Sequence, residues 1–224
     1  MLVGITIPLP PLLSPRCPHM KRQSTKIDKS ILCIGLILLS VYIYICFNTK
    51  NYEFLYYGFL TFILIYLMWN IILGHGLSSF ILLGYLILLN LNMLGGLYHI
   101  DGKRLYEYYL FLDYIRYDRL VHAFGIYLAT LTFYYILRNY LYINKNLLIL
   151  FGIICIGIGI GALWEIIEYI AVINFKHTGV GRYFDTMGDM IANVIGATLA
   201  MLYIKLKPSS AAQFNRDEIS VSVD

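Results

Sequence analysis

The sequence predicts an all-α fold, a polytopic membrane bundle of about six transmembrane helices. The first reason is composition: 59% of the 224 residues are hydrophobic, 13% are charged, and the mean hydropathy is +0.70. Soluble domains contain about 25% charged residues. The second reason is that several apolar runs reach about 18 residues, which is long enough to cross a bilayer. Membrane lipids are therefore expected partners, and the lack of a basic face with interleaved aromatic residues argues against nucleic acid.

The apolar runs define six spans within an expected membrane domain of residues 30–207. Tyrosine and tryptophan residues cluster near the span ends, as in the aromatic belts of membrane proteins. The expected spans cover residues 31–47, 54–73, 77–98, 119–137, 147–171 and 187–206.

Charged residues near the termini predict the orientation of a multi-pass protein of the cell membrane. Four basic residues within 21–29 precede the first span, which favours a cytoplasmic N-terminus, and six spans return the C-terminus to the same side. The basic residues of the two outer loops, 99–118 and 174–186, count against this orientation. Residues 1–29 are then an N-terminal cytoplasmic segment, of which the proline-rich 1–19 are expected to precede the native start at Met20. The polar residues 208–224 are expected to form a disordered cytoplasmic tail.

Two acids, Glu165 and Glu168, end the apolar run of the fifth span. A charged group at the centre of a membrane helix costs about 2.5–3.5 kcal/mol on insertion scales, so an acid there is a functional hypothesis. Two residues three apart lie on one helix face, which indicates a shared polar partner. Gly157 and Gly161 precede them in a GxxxG pattern that allows close helix packing.

The fourth and sixth spans supply candidate partners for these acids. Asp118 and His122 are four residues apart, and so share a helix face. The sixth span repeats polar residues at the same interval: Asp185, Asp189 and Asn193. All these groups fall at the expected outer ends of their helices. Because lipid cannot solvate them, we expect them to converge inside the bundle or around a wet cavity.

One chemistry for such a cluster is acid–base catalysis, with His122, Glu165, Glu168 and Asp189 as the catalytic residues. Neighbouring buried carboxyl groups cannot all ionise, so one can serve as a proton donor, while His122 is a candidate general base. The remaining candidates are binding residues. Asp118 would orient His122, Arg119 and Arg182 would bind an anionic head group, and Asp185, Asn193 and His99 would complete the site.

Other interpretations of the same residues remain open. A metal ion could bind His122 with the surrounding acids, but no HExxH or other tight ligand spacing is present, so no metal ligands are assigned and any cofactor is unknown. The charged groups could also be structural and neutralise one another, or act as a proton relay in a small ion-coupled transporter. His99 is equally well explained as an interfacial loop residue.

The ordered combination of short motifs resembles the YjdF-like bacterial inner-membrane proteins and, more distantly, the VanZ-like proteins. The motifs are Gly-Leu-Tyr-His99, Arg116-Tyr-Asp-Arg119-x-x-His122, Trp164-Glu165-x-x-Glu168-Tyr and Asp185-Thr-x-x-Asp189-Met, with Asn193 and Gly196 matching the VanZ-like pattern. The resemblance covers about residues 95–200. It implies a polytopic membrane protein, and the association of VanZ with teicoplanin tolerance implies work near envelope lipids or wall polymers. The chain departs from the YjdF-like pattern in its short segment before Asp185.

Taken together, the residues and the resemblance predict an integral membrane protein that acts as a membrane-embedded enzyme or binding protein. Its expected partner is a polar envelope lipid or wall component, with an anionic head group or envelope polymer bound at the outer face. The alternatives are a small ion-coupled transporter and a structural membrane scaffold.

Overall fold

Six long α-helices make up most of the chain. The computed structural model describes residues 24–75, 77–111, 115–140, 145–175, 178, 180, 181 and 183–207. The helices are α1 (Lys26–Asn48), α2 (Tyr52–His75), α3 (Ser79–Leu97), α4 (Tyr117–Tyr140), α5 (Leu147–Asn174) and α6 (Tyr183–Leu206). All six are long and apolar enough to span a membrane, which confirms the predicted fold class. The expected N-terminal segment before residue 24 and the expected tail 208–224 lie outside the described residues.

Four of the helices, α1, α2, α4 and α6, begin earlier than the apolar runs predicted. α1 begins at Lys26 because Thr25 and Asp28 form a capping box, in which each side chain accepts a hydrogen bond from the other residue's backbone amide. The first turns of α4 and α6 contain Asp118 and Asp185. Acidic side chains stabilise the positive end of the helix dipole, so polar first turns extend each helix beyond its apolar segment.

Two short hairpins join α3 to α4, and the sequence did not predict them. Strands β1 (His99–Ile100) and β2 (Lys103–Arg104) pair antiparallel, as do β3 (Tyr109–Phe111) and β4 (Ile115–Arg116). Asp101 and Gly102 have φ of 50° and 79°, the left-handed conformation that a two-residue Asp-Gly hairpin turn requires. We call the end of the bundle that carries residues 98–111 and 115–116 the hairpin end.

A half-buried tyrosine anchors the hairpins to the bundle. The ring of Tyr106 packs against Gly95 of α3, and its hydroxyl group hydrogen-bonds to the side chain of Asn92. Phe54 fills the neighbouring position against Gly96. The glycines leave room for both aromatic rings, so the segment between α3 and α4 is held against the membrane helices.

Contacts at the two ends show that successive helices run in opposite directions. Asp28 at the start of α1 accepts a hydrogen bond of 2.6 Å from Ser79 at the start of α3. Lys145, just before α5, donates to the carbonyl of Ile204 near the end of α6 at 2.6 Å. The start of α4, the end of α5 and the start of α6 therefore lie together at the hairpin end.

Small residues bring α4, α5 and α6 into close contact, as the sequence pattern predicted. A methyl group added to Gly196 would overlap the backbone carbonyl of Ala123 on α4, and one added to Gly161 would lie 2.7 Å from the amide group of Asn193. Deeper in the bundle, Gly157 meets Thr130 and Ala197. Large apolar side chains such as Leu163 and Ile191 are exposed on the outer surface, where lipid would cover them.

Candidate functional site

Three helices present polar side chains at matching depth near the hairpin end. α4 contributes Asp118 and His122, α5 contributes Glu165 and Glu168, and α6 contributes Asp189. We call these five residues the charged cluster. Residues three or four apart lie on one face of a helix, and the tight glycine contacts turn those faces toward one another.

His122 lies at the centre of the charged cluster, with an acid beside each ring nitrogen. Its Nδ1 is 3.3 Å from Oε1 of Glu165, and its Nε2 is 3.4 Å from Oε1 of Glu168 and 3.6 Å from Oδ1 of Asp118. The side chain is only 5% exposed. The imidazole can therefore exchange protons or share a ligand with carboxylates on two helices.

The deepest polar groups lie on α6. Asp189 is 3% exposed, and its Oδ1 has no hydrogen-bond partner among the described residues. Asn193, one turn further into the bundle, is fully buried against Gly161, and neither atom of its amide group has a described partner. Buried polar atoms without partners are rare in proteins and require an explanation.

Two arginines and an aspartate form what we call the rim of the site: Arg116, Arg119 and Asp185. Arg116 is buried, forms an ion pair with Asp185, and lies 4.0 Å from Asp118. Arg119 is 3.9 Å from Asp185 and lies across Gly188 of α6, where a side chain would collide with its guanidinium group. At 29% exposure, the Arg119 side chain is the most accessible of the rim.

Aromatic residues line the cluster on the side facing α2 and the hairpins. Trp164 donates a hydrogen bond of 2.8 Å from Nε1 to Oε1 of Glu168, and its ring stacks on that of Tyr57 at 6.2 Å. Burial, together with the negative charges of Asp118 and Glu168, raises the pKa of Tyr106 well above its usual value. Tyr106 thus stays protonated, and its hydroxyl group donates to the side-chain oxygen of Asn92.

The cluster and rim together contain more acids than fixed cations. Five carboxyl groups, those of the cluster and Asp185, face the guanidinium groups of Arg116 and Arg119. Even with His122 protonated, full ionisation would leave a buried negative charge. Such a charge is expensive in a medium of low dielectric constant, so the site requires bound protons or a bound cation.

One of the predicted site residues, His99, does not join this arrangement. The exposed side chain of His99 lies in β1, with its Nδ1 3.1 Å from the carbonyl oxygen of Leu97. There it borders a separate cleft of about 710 Å³, whose lining includes Glu53 and Arg104. Arg182 lies outside the described residues.

Two contributors to the site, Arg116 and Trp164, were not among the predicted site residues. Arg116 was noted as a loop charge, although it alternates with Asp118 and precedes Arg119 by three residues. Trp164 and Glu168 are four apart on one helix, a spacing that permits their hydrogen bond. Outside the site, Arg104 forms an ion pair with buried Glu53 beside the separate cleft.

Comparisons with known proteins place the chain in a family. Neither the curated proteins nor the solved structures contain a match, so the distant VanZ-like resemblance gains no support. Residues 30–208 match a family model described as a predicted membrane protein, DUF2238, a range that includes all six helices from residue 30 onward. The chain therefore belongs to the DUF2238 family of membrane proteins.

Proposed function

We propose that this protein is a membrane-embedded enzyme or binding protein that acts on a polar, anionic component of the envelope at the hairpin end of the bundle. The observation that carries the proposal is the position of His122, enclosed by acids from two helices beneath an arginine-bearing rim. The YjdF-like resemblance supports the envelope setting, and the hairpin end would face the outside of the cell.

The exposure gradient supports entry of a polar group from the rim. Arg119 is the accessible cation, and an arginine guanidinium group can bind a phosphate or carboxylate through two parallel hydrogen bonds. Asp185 lies 3.9 Å from Arg119, so a bound ligand would replace part of the interaction between these two side chains. The reacting part of the ligand would then reach the charged cluster below.

The charged cluster can move protons for a reaction at that position. One nitrogen of His122 accepts or donates a proton while a carboxylate beside the other nitrogen fixes the ring and stabilises its charged form. Glu168 is further oriented by Trp164. General acid–base catalysis by one positioned group contributes about 10²–10⁴-fold to a rate, so loss of His122 should be severe.

The proposal is tested by comparing envelope lipids and wall precursors in a deletion strain that carries different variants. Glu168→Gln keeps the size of the side chain and removes its charge, and Glu107→Gln makes the same change in the hairpin segment outside the cluster. We expect a lipid or wall species to accumulate in the deletion strain and with Glu168→Gln, and to return to normal with the wild type and Glu107→Gln.

Membrane level and folding of each variant are measured by fluorescence-detected size exclusion. If Glu168→Gln and His122→Ala fold, insert and restore the normal lipid and precursor profile, the cluster is not the functional site. If the glutamate substitution lowers thermal stability but leaves the profile unchanged, the charged groups are structural.

A further inference from the structure

We propose that the charged cluster binds one divalent transition-metal ion, of the type of Zn²⁺ or Mn²⁺, through His122, Asp118 and Asp189. This inference deepens the proposed function and rests on it only for the use of the ion, because the binding itself has its own readout. With the ion bound, Nε2 of His122 is a ligand and no longer transfers a proton, so that role passes to the acids of the charged cluster. The sequence left a metal ion at His122 open as one interpretation but assigned no ligands, and the packing of α6 against α4 is what brings Asp189 to Asp118 and His122.

The geometry brings the ligand atoms almost to coordination distance. Asp118, His122 and Asp189 each offer one atom, and these atoms lie within 4.8 Å of one another; His122, Glu165 and Glu168 form a second such set. Tetrahedral ligands bound at about 2.0–2.2 Å from an ion are about 3.3–3.6 Å apart. Each ligand atom would therefore move inward by at most about 0.8 Å to complete either set.

An unpartnered buried atom points to a ligand in addition to the grouping of acids. Oδ1 of Asp189 has no hydrogen-bond partner among the described residues, and Asp189 is only 3% exposed. A bound cation would satisfy Asp189 directly. It would also reduce the excess negative charge that the two rim arginines leave uncompensated.

The two nitrogens of His122 divide the acids into ligands and an orienting partner. Nε2 faces Asp118 and Glu168, so we place the ion on this side, with Glu168 as a possible fourth ligand. Nδ1 then carries a proton and donates it toward Glu165 at 3.3 Å. Such a carboxylate–histidine–metal arrangement fixes the ring and its tautomer in many metal sites.

The donor set indicates the class of metal. An imidazole nitrogen with carboxylate oxygens suits Zn²⁺, Mn²⁺ or Fe²⁺, whereas Mg²⁺ and Ca²⁺ prefer sites made of oxygen alone. An ion in this place would polarise a phosphoryl or carbonyl oxygen of a ligand that enters past Arg119.

The test measures metal in the full-length protein purified from membranes in detergent, without added chelator. Metal content is determined by mass spectrometry, and binding of Zn²⁺, Mn²⁺ and Mg²⁺ to chelator-treated protein is followed through the unfolding temperature. We expect about one equivalent of a transition metal per chain, and a rise in unfolding temperature with Zn²⁺ or Mn²⁺ that exceeds the rise with Mg²⁺.

Matched variants locate the ion. Asp189→Asn keeps the volume and polarity of the ligand and should abolish stoichiometric binding, as should His122→Ala. Glu165→Gln removes only the orienting partner and should weaken affinity about 10–100-fold. Glu107→Gln, outside the cluster, should bind as the wild type does.

Several results would overturn the proposal. They are a wild-type protein with no stoichiometric metal and no response to Zn²⁺ or Mn²⁺, a response to Mg²⁺ alone, and binding that persists unchanged in folded Asp189→Asn and His122→Ala proteins. The lipid and precursor comparison is independent of these measurements. If the protein holds no metal but its Glu168→Gln variant still accumulates a precursor, the ion is refuted and the proposed function stands. If the protein binds metal but Glu168→Gln restores a normal profile, the metal site is structural.

Discussion

The contact between Gly196 and α4 gives the most direct test of how the site is assembled. In Gly196→Ala the new methyl group would overlap the carbonyl oxygen of Ala123 and lie 3.1 Å from its Cα. Normal carbon–carbon contacts are about 3.5–4.0 Å, and the obstructing atoms belong to the backbone, which cannot rotate away. We therefore expect α6 to move away from α4 by about 0.5–1 Å.

A matched substitution on α5 isolates the loss of stability expected for Gly196→Ala. A methyl group at Gly159 meets no atom within 4 Å, so Gly159→Ala changes helix propensity without a clash. Both variants gain about 1 kcal/mol of propensity, and their difference isolates the overpacking cost of about 1–3 kcal/mol. For a chain of this size that difference corresponds to about 2–12 °C in unfolding temperature.

The assay is thermal unfolding of both purified variants in one detergent. Gly196→Ala should unfold at a lower temperature than the wild type, and Gly159→Ala at the same temperature or a higher one. The shift should also pull Asp189 away from His122, so Gly196→Ala should lose metal affinity while Gly159→Ala keeps it. Equal unfolding temperatures for the two variants would show that α4 and α6 do not meet at Gly196.

Two further predictions concern the rim and the aromatic wall. Arg116→Met should lower the free energy of unfolding by about 1–3 kcal/mol, because Asp185 loses this ion pair and keeps only Arg119, 3.9 Å away. The double variant with Asp185→Leu should regain most of the loss. Denaturation of the single and double variants in detergent measures this, and a double variant no more stable than the single one would contradict it. Trp164→Phe keeps an aromatic ring but removes the hydrogen bond to Glu168, so stability should fall by about 1.5–3 kcal/mol if Glu168 is ionised. The same loss in a Glu168→Gln background would show that the bond does not depend on that charge.

The sequence predicted best those features whose free energy depends on a single side chain or on the spacing within one helix. The expense of placing Glu165, His122 and Asp189 in lipid predicted that they would approach one another, and the structure brings them together on facing helices. Small residues at intervals of four predicted the close packing that allows this approach. Their catalytic roles remain predictions, because proximity does not specify a reaction.

The sequence could not predict the positions of Arg116 and His99, because these depend on how the segment between α3 and α4 folds. Arg116 is placed against Asp185 because β4 pairs with β3 and returns the chain to the bundle, a contact between distant segments. The hairpin turn at Asp101 and Gly102 likewise determines where His99 lies. Periodicity within one segment carries no information about either contact.

Close packing below Asn193 limits the passage of ions or ligands through the protein. The residues that meet there are Gly157, Thr130 and Ala197. Thr130 and Ala197 are fully buried, and the Thr130 hydroxyl is occupied by its own helix, donating to the carbonyl of Ile126 at 2.7 Å. The three helices thus form a plug that offers a passing ion neither space nor replacement for its hydration shell. Unless these helices separate, a ligand that reached His122 would have to leave by the route through which it entered. The site would then be a closed pocket and not part of a channel.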